Sequence, residues 1–219
     1  QCLSRECSGR SIHVEQRLSR KERAAETKRK IFATAVQLIK EKGYDKITVR
    51  EICAASGVAK GSFYVHYKSK EDILRESYYA DMGHYVRERF EACSAAGKSA
   101  SYTAQIIHFL NLELEFAEYA GYEMTALAYA LNLSACVPGP SEHLQKRTFS
   151  QILYDAVQHN ADQNRTGLSS GEIFHYFESL IRGLMATWCF SNHSFSIVEQ
   201  GKKYISLAVY SIYQAITLK

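Results

Sequence analysis

The sequence predicts an all-α protein. Apolar residues recur at three- and four-residue spacing along most of the chain, strand-like alternation of Val, Ile and Thr is nearly absent, and only two prolines occur in 219 residues. The length allows a small domain followed by a larger one. We therefore expect an N-terminal helical domain in residues 19–68 and a larger helical domain in residues 69–219, after a disordered basic extension in residues 1–18.

Positive charge is concentrated in the N-terminal part. Residues 1–90 hold 19 Lys and Arg against 12 Asp and Glu, whereas residues 91–219 hold 8 against 11. This asymmetry is typical of a protein that meets a polyanion with one end. The alternative is that the basic residues only keep exposed helices solvated.

The composition gives no sign of a metal site, a cofactor or a membrane span. The six cysteines have neither CxxC spacing nor metal-ligand spacing with the eight histidines, so we expect reduced thiols in a cytoplasmic protein. No apolar run is long enough to cross a bilayer, and the first residues lack the apolar segment of a secretory signal. The cysteines are Cys2, Cys7, Cys53, Cys93, Cys136 and Cys189.

The first helix is expected from Ser19, where Ser19 and Glu22 form a capping-box pattern, to Gly43. Its apolar stripe begins at Ile31. Thr48 and Glu51 form a second capping box that opens a short helix, and Gly57 breaks this helix. A further short helix is predicted over residues 58–67, so the pair forms a helix-turn-helix.

Later helices follow from the same signals. A fourth helix is predicted from Ser69 to about Phe90, and others over about 102–119, 121–135, 141–159, 171–191 and 197–217. Ser169 with Glu172, and Ser196 with Glu199, are further capping pairs.

Residues 46–74, KITVREICAASGVAKGSFYVHYKSKEDIL, resemble the DNA-binding signature of the tetracycline-repressor (TetR/AcrR) family of bacterial regulators. One departure is Cys53, where the family usually has alanine. The resemblance implies a non-enzymatic, ligand-responsive regulator, by default a repressor, that binds a palindromic operator as a homodimer. The matching residues are Thr48, Ile52, Gly57, Val58, Lys60, Gly61, Ser62, Phe63, Tyr64, Tyr67, Lys70, Glu71 and Asp72.

The second helix of a helix-turn-helix enters the major groove with its N-terminal residues nearest the bases. Lys60 can reach guanine acceptors or a phosphate, and Gly61 lets the backbone approach the duplex. Taken singly, each of these residues has an ordinary structural explanation. The candidate DNA contacts are Thr48, Lys60, Gly61, Ser62, Tyr64, Val65, His66 and Lys70.

Basic residues before the core of the first helix can add phosphate or minor-groove contacts. The alternative is a solvated helix face with Glu22 and Glu26 as partners. These basic residues are Arg17, Arg20, Lys21, Arg23, Lys28, Arg29 and Lys30.

The last two helices carry apolar stripes wider than one core needs, which predicts pairing across a two-fold axis. The resemblance implies the same interface. The alternative is that the stripes form the domain's own core. The candidate dimerisation residues are Phe177, Leu180, Leu184, Ile205, Ala208, Val209 and Ile212.

The resemblance also implies an effector pocket between the two regions, for a small molecule that is partly apolar or aromatic. The region is rich in aromatic residues, although any one of them has plain core packing as its alternative. The candidate ligand-binding residues are His108, Phe109, Phe116, Tyr122, Tyr129, His175 and Trp188.

Two rival functions remain at this point. Cys189 and His193 are close enough in sequence to suggest a nucleophilic pair, but no carboxylate at a recognisable spacing orients the histidine. The other rival is a ligand-binding adaptor that no longer reads DNA.

Overall fold

A computed structural model describes residues 19–95, 101–135 and 149–213. Within these ranges the chain forms nine α-helices and two short 3-10 turns, Tyr44–Lys46 and Ala161–Gln163, and no strand, so the all-α prediction is confirmed. The helices are α1 Arg20–Lys42, α2 Val49–Ser56, α3 Lys60–His66, α4 Lys70–Ala95, α5 Tyr102–Ala120, α6 Tyr122–Ala135, α7 Ser150–His159, α8 Ser170–Phe190 and α9 Ile197–Tyr213.

Three of the predicted capping boxes form completely, at the starts of α1, α2 and α8. In each, the Ser or Thr hydroxyl accepts a backbone N–H and the glutamate three residues later accepts the N–H of the capping residue. The fourth is half formed, because Ser196 accepts the Glu199 N–H while Glu199 itself pairs with Lys202.

The boundaries of two helices differ from prediction. α3 begins at Lys60 rather than residue 58, because Gly57 adopts the left-handed conformation at φ 65° and Ala59 is extended. α4 continues past Phe90 to Ala95. The predicted extension 1–18, the loop at 138–140, the start of the helix predicted from residue 141 and the end of the last helix lie outside the described residues.

The N-terminal domain packs around the inner face of α1. Ile31, Phe32 and Ile39 are buried, and Ile52 of α2 and Phe63 of α3 are fully enclosed beside them. About three turns of α1 precede this core and remain largely exposed. The basic N-terminal end of α1 therefore lies outside the hydrophobic core.

α5 is the central helix of the larger domain and packs against α4, α7, α8 and α9. Its contact with α9 is very close, since a side-chain carbon at Gly201 would lie 2.0 Å from Leu114. α4 also contacts α6, through a hydrogen bond of 2.9 Å between the hydroxyls of Tyr78 and Thr125.

The two domains meet through α1. The Phe32 ring of α1 stacks on the Phe116 ring of α5, with centroids 6.3 Å apart. Lys28 of α1 forms an ion pair of 2.9 Å with Glu76 of α4. The orientation of the DNA-reading candidates relative to the larger domain therefore depends on these helix contacts.

Candidate nucleic-acid interface and ligand region

The turn between α2 and α3 fixes the direction of α3. Gly57 ends α2 in the left-handed conformation, and the Val58 N–H donates to the Cys53 carbonyl at 3.1 Å. α3 then starts at Lys60 with no side-chain cap. The loop is therefore short and held by backbone hydrogen bonds, as a helix-turn-helix requires.

The inner face of α3 is anchored in the core. The Phe63 side chain is fully buried, and the buried Tyr67 hydroxyl forms a hydrogen bond with Ser77 of α4. Burial raises the pKa of Tyr67 to about 12, so the phenol stays protonated and able to donate. This anchoring holds the opposite face of α3 in a defined position.

The outer face of α3 presents Lys60, Gly61, Tyr64 and Val65 at helical spacing. The exposed fraction is 50% for Tyr64 and 81% for Val65. A large aromatic ring and an aliphatic side chain left in water on so short a helix have no role in the monomer core. This face combines a cation, a phenol and a methyl-bearing side chain, which are groups that contact phosphates and base edges.

Gly61 is not required by the fold itself. A side-chain carbon built at this position meets no atom within 4 Å, and Gly61 has no positive φ. The space in front of it is open, so a glycine there is useful only if something outside the chain approaches the backbone.

Three other DNA candidates are less available to DNA, because they are hydrogen-bonded or partly buried within the protein. Thr48 is exposed, but its hydroxyl and N–H are both bound to Glu51 in the capping box. Ser62 and His66 lie at the margins of α3 and are partly buried.

Lys70, another candidate DNA contact, makes contacts within the protein. Its ammonium group donates to the carbonyls of Tyr44 at 2.9 Å and Ile47 at 3.4 Å and lies 4.1 Å from the centroid of the Tyr44 ring. The side chain thus joins the start of α4 to the turn after α1. In this conformation the Lys70 ammonium is directed into the protein rather than towards DNA.

The exposed N-terminal end of α1 runs beside the helix-turn-helix. The Lys28 ammonium lies 5.3 Å from the centroid of the Tyr67 ring, and the Lys30 ammonium lies 3.8 Å from where a Gly57 side chain would begin. Arg20, Lys21 and Arg23 extend this basic surface into solvent. Two cations of α1 therefore lie beside the helix-turn-helix.

The seven ligand-binding candidates have different neighbours in the structure. His108 and Phe109 pack with Phe90 of α4, whereas Phe116 packs with Tyr85 and with α1. The Tyr129 hydroxyl contacts the Met185 sulfur at 3.2 Å.

Two candidates have clear structural contacts instead. The Trp188 ring packs against Tyr122, and its N–H donates to the Phe195 carbonyl at 3.0 Å, which fixes the loop between α8 and α9. His175 lies exposed on α8 beside Phe174, so it faces solvent rather than the interior.

Five buried polar atoms lack a hydrogen-bond partner among the described residues, and three of them lie on α5 and α6: Nε2 of His108, Oδ1 of Asn111 and Oδ1 of Asn132. Such atoms are costly unless something satisfies them. The prediction above did not include Asn132. The sequence signal was available, because an amide stands alone in the apolar run TALAYALNL of α6.

The dimerisation candidates lie mostly inside the monomer. Phe177, Ile205 and Val209 are fully buried within it, and Leu184, Ala208 and Ile212 are largely enclosed. Leu180 is partly exposed. Enclosed side chains present little surface to a partner, so most of the exposed surface of the two helices is formed by other residues.

The exposed apolar residues of α8 and α9 lie on a different face. On α8 the positions 176, 180, 183, 187 and 190 follow helical spacing, and the Phe190 side chain is 90% exposed. On α9, Leu207 is 66% exposed. A groove of about 410 Å³ runs between the two helices, bordered by Leu180, Gly183 and Tyr204.

The thiol and histidine near the end of α8 do not form a nucleophilic pair. The Cys189 Sγ donates to the Tyr122 carbonyl at 3.7 Å, and burial raises the pKa of this thiol to about 11. The His193 ring stacks on Tyr122 with centroids 4.2 Å apart. Over the described ranges, no cluster of three or more His, Cys, Asp or Glu could hold a metal ion, and no helix is long and apolar enough to span a membrane.

Comparison with known proteins identifies the N-terminal part. Residues 31–77 match the family described as bacterial regulatory proteins, tetR family. The chain is 24% identical over 192 residues to the fatty acid metabolism regulator protein of Bacillus subtilis, covering 84% of this chain and 94% of that one. It is 27% identical over 195 residues to the biofilm operon icaADBC negative transcriptional regulator IcaR of Staphylococcus epidermidis, covering 84% and 96%.

A solved structure shares the fold over most of the chain. The transcriptional regulator FadR of Bacillus subtilis, in complex with stearoyl-CoA, has a TM-score of 0.59 and 21% identity, and the match covers 83% of this chain and 97% of that one. The helix-turn-helix geometry, the family match and the fold agree. Residues 31–77 therefore form a DNA-binding domain of the tetR family of bacterial regulatory proteins, and the chain shares the fold of the transcriptional regulator FadR.

Proposed function

We propose that the protein is a repressor that binds a palindromic DNA operator as a homodimer and is released by a small molecule. The observation that carries this proposal is the outer face of α3, where Lys60, Gly61, Tyr64 and Val65 are exposed while Phe63 and Tyr67 fix the helix from behind. The face is short, rigid and complementary to a major groove. Because its partner is chromosomal DNA, we place the protein in the cytoplasm.

The basic N-terminal end of α1 supports DNA binding in a second way. Arg20, Lys21 and Arg23 are exposed and lie on the helix that passes the helix-turn-helix. Cations in this position contact phosphates and contribute affinity without sequence preference. Residues 91–219, by contrast, carry a net negative charge.

Dimerisation is proposed through the exposed face of α8 and α9. Leu180, Gly183 and Thr187 border a groove that a second copy can fill with the same residues, as a two-fold interface requires. Gly183 has open space before it, which permits two helices to cross closely. Two copies of α3 would then address two half-sites about one helical turn apart.

The effector is proposed to be partly apolar or aromatic and to bind within the larger domain. The unpartnered atoms of His108, Asn111 and Asn132 would orient its polar groups. The complex of FadR with stearoyl-CoA shows that this fold accommodates a ligand with a long apolar part in that protein. IcaR, described as a negative regulator, supports the repressor role.

Release follows from linkage between the two sites. A ligand that prefers an arrangement in which the α3 helices do not fit the operator weakens DNA binding by the same factor by which DNA weakens ligand binding. α4 is suited to transmit the change, because it starts beside α3 and its later turns pack on α5 and α6.

Selection of bound sequences from a random duplex pool tests the proposal. The full chain should enrich a palindrome, and Lys60→Ala with Tyr64→Ala should abolish the enrichment. Arg165→Ala, at an exposed arginine far along the chain, is the matched control and should select the same palindrome. Enrichment of nothing by the full chain would refute DNA reading and favour the adaptor function.

A further inference from the structure

A cleft of about 350 Å³ lies between the DNA-binding domain and the larger domain. Arg29, Phe32 and Ala33 of α1 form one wall, and the middle of α4 forms the other. Phe116 and Tyr119 of α5 close the third side. The cleft is thus bordered by both domains.

The aromatic residues of the cleft form a continuous surface. The Tyr85 ring lies 5.6 Å from Phe116 in an edge-to-face arrangement and stacks on Tyr119, with centroids 6.1 Å apart. Phe32 in turn stacks on Phe116. The volume and the walls suit a flat molecule of modest size.

The two tyrosines already hold cations of the chain itself. The Arg89 guanidinium lies 3.5 Å from the centroid of the Tyr85 ring, and the Lys40 ammonium lies 5.2 Å from that of Tyr119. Ring faces that attract these side chains attract an external organic cation by the same quadrupole.

Asp81 supplies an anionic partner in the cleft. Its carboxyl group is partly buried and forms no hydrogen bond or ion pair with the described residues. Burial raises the pKa of Asp81 to about 7, and the charge of Arg29 only partly offsets this. Glu88, about two turns further along α4, lines the same cleft and adds a second carboxylate, which lies 3.7 Å from the His84 ring nitrogen.

We propose that this cleft is a binding site for an aromatic organic cation, whose charged nitrogen pairs with Asp81 and whose ring packs on Tyr85 and Tyr119. None of His108, Asn111 and Asn132 lines the cleft, and of the seven ligand-binding candidates only Phe116 does. Because the ligand would touch α1 on one side and α4 and α5 on the other, its affinity depends on how the two domains are oriented. This coupling to DNA rests on the proposed function, whereas binding in the cleft does not.

Calorimetric titration of the full chain with benzyltrimethylammonium tests the site. We expect saturable binding with a Kd below about 1 mM, as befits a ligand of this size. Benzyl alcohol and benzoate, the neutral and anionic probes, should bind at least about tenfold more weakly. Equal binding of benzoate, or no binding of the cation, overturns the proposal.

Two substitutions locate the bound probe. Asp81→Asn, which keeps the shape of the side chain, should weaken benzyltrimethylammonium binding about tenfold. Tyr119→Leu, at a residue that is 44% exposed and so tolerant of change, should weaken it several-fold. The matched control Asp162→Asn lies at an exposed position in another part of the chain and should leave the affinity unchanged. A cation affinity unaltered by both cleft substitutions overturns the assignment.

The pH dependence gives an independent readout. Between about pH 8 and about pH 5.5 Asp81 gains a proton, so binding of the permanently charged probe should weaken in the wild type. Other charged or titratable groups also face the cleft: Arg29 of α1, His84, Tyr85, Glu88 and Arg89 of α4, and Tyr119 of α5. The Asp81→Asn variant retains all of these groups, so probe binding by this variant should depend less on pH than probe binding by the wild type. If probe binding depends equally on pH in both proteins, Asp81 does not contribute to it.

DNA titrations separate this inference from the proposed function. Benzyltrimethylammonium should change the affinity for the selected palindrome by the factor by which that duplex changes the affinity for the probe. Probe binding without selected DNA binding refutes the repressor function and leaves the cleft site intact. DNA binding without probe binding refutes the cleft site alone.

Discussion

The Glu123 carboxylate accepts the backbone N–H of Tyr44 at 2.8 Å, across 79 residues of sequence. Glu123 stands in the first turn of α6, and Tyr44 begins the 3-10 turn that follows α1. The Tyr44 hydroxyl in turn donates to Glu71 of α4 at 2.9 Å. One tyrosine therefore joins the first domain to two helices of the second.

Replacement of Glu123 by alanine leaves the partly buried Tyr44 N–H without its acceptor. We expect Glu123→Ala to lower the free energy of unfolding by about 1–2 kcal/mol, measured by urea denaturation. Glu123→Gln retains a carbonyl oxygen and should lose less. If both variants unfold like the wild type, the contact does not stabilise the junction of the domains.

Replacement of Gly61 by alanine should raise stability and weaken DNA binding. Alanine fits the open space at this helical position, so Gly61→Ala should raise the free energy of unfolding by about 0.5–1 kcal/mol. If the backbone approaches DNA there, the same methyl group should weaken operator binding at least about tenfold, measured by fluorescence anisotropy.

Gly171→Ala, in the first turn of α8, is the matched control for Gly61→Ala. Its added carbon meets only the Ser169 hydroxyl at an ordinary 4.0 Å, so DNA affinity should stay at the wild-type value. An operator affinity for Gly61→Ala equal to that of the control would mean that DNA does not approach α3 at its start.

Substitution of Lys70 tests whether this lysine stabilises the fold or contacts a DNA phosphate. Because its ammonium is bound to the carbonyls of Tyr44 and Ile47, Lys70→Met should lower the free energy of unfolding by about 1–2 kcal/mol. The dependence of DNA affinity on salt should keep its slope. Lys60→Met, at the exposed position, should instead reduce that slope by about one. A reduced slope for Lys70→Met would show that this lysine turns outward to bind a phosphate.

The sequence was sufficient for features set by local chemistry. Capping boxes at Ser19, Thr48 and Ser169 predicted the starts of three helices, because the residues that satisfy the first N–H groups are neighbours in sequence. Gly57 likewise marked the turn of the helix-turn-helix.

Features set by packing between helices were not accessible in the same way. Periodicity shows that Phe177 and Val209 belong to apolar stripes, but it does not show whether a stripe faces the monomer core or a partner. The direction of the Lys70 side chain depends on two carbonyls more than 20 residues away. The environment of Asp81 likewise depends on residues of α1 and α5, which border the same cleft and are distant in sequence.

The dimer face can be tested by contrasting exposed and buried residues of α9. Leu207→Glu places a charge on the exposed face, so sedimentation equilibrium should show a shift from dimer to monomer with little loss of helix content. Leu168→Glu, at another exposed leucine outside this face, should remain dimeric. Val209→Ala, in the core, should instead lower the free energy of unfolding by about 1–3 kcal/mol. A dimeric Leu207→Glu protein would place the interface elsewhere.

Asp81 should make the stability of the protein depend on pH. Its pKa is about 7 in the folded chain, raised by burial from 3.8, so the folded state holds a proton that the unfolded state has already lost between these values. The contribution of Asp81 to stability is thus present below about pH 4 and is lost as pH rises through about 7. Asp81→Asn cannot ionise. The Tm of this variant minus that of the wild type should therefore increase from about pH 4 to about pH 8. The increase should be about 2–4 °C for each kcal/mol of unfolding free energy that the wild type loses relative to the variant. Asp162→Asn should show no such trend, and a Tm difference for Asp81→Asn that stays constant over this range would mean that the Asp81 carboxyl ionises alike in both states.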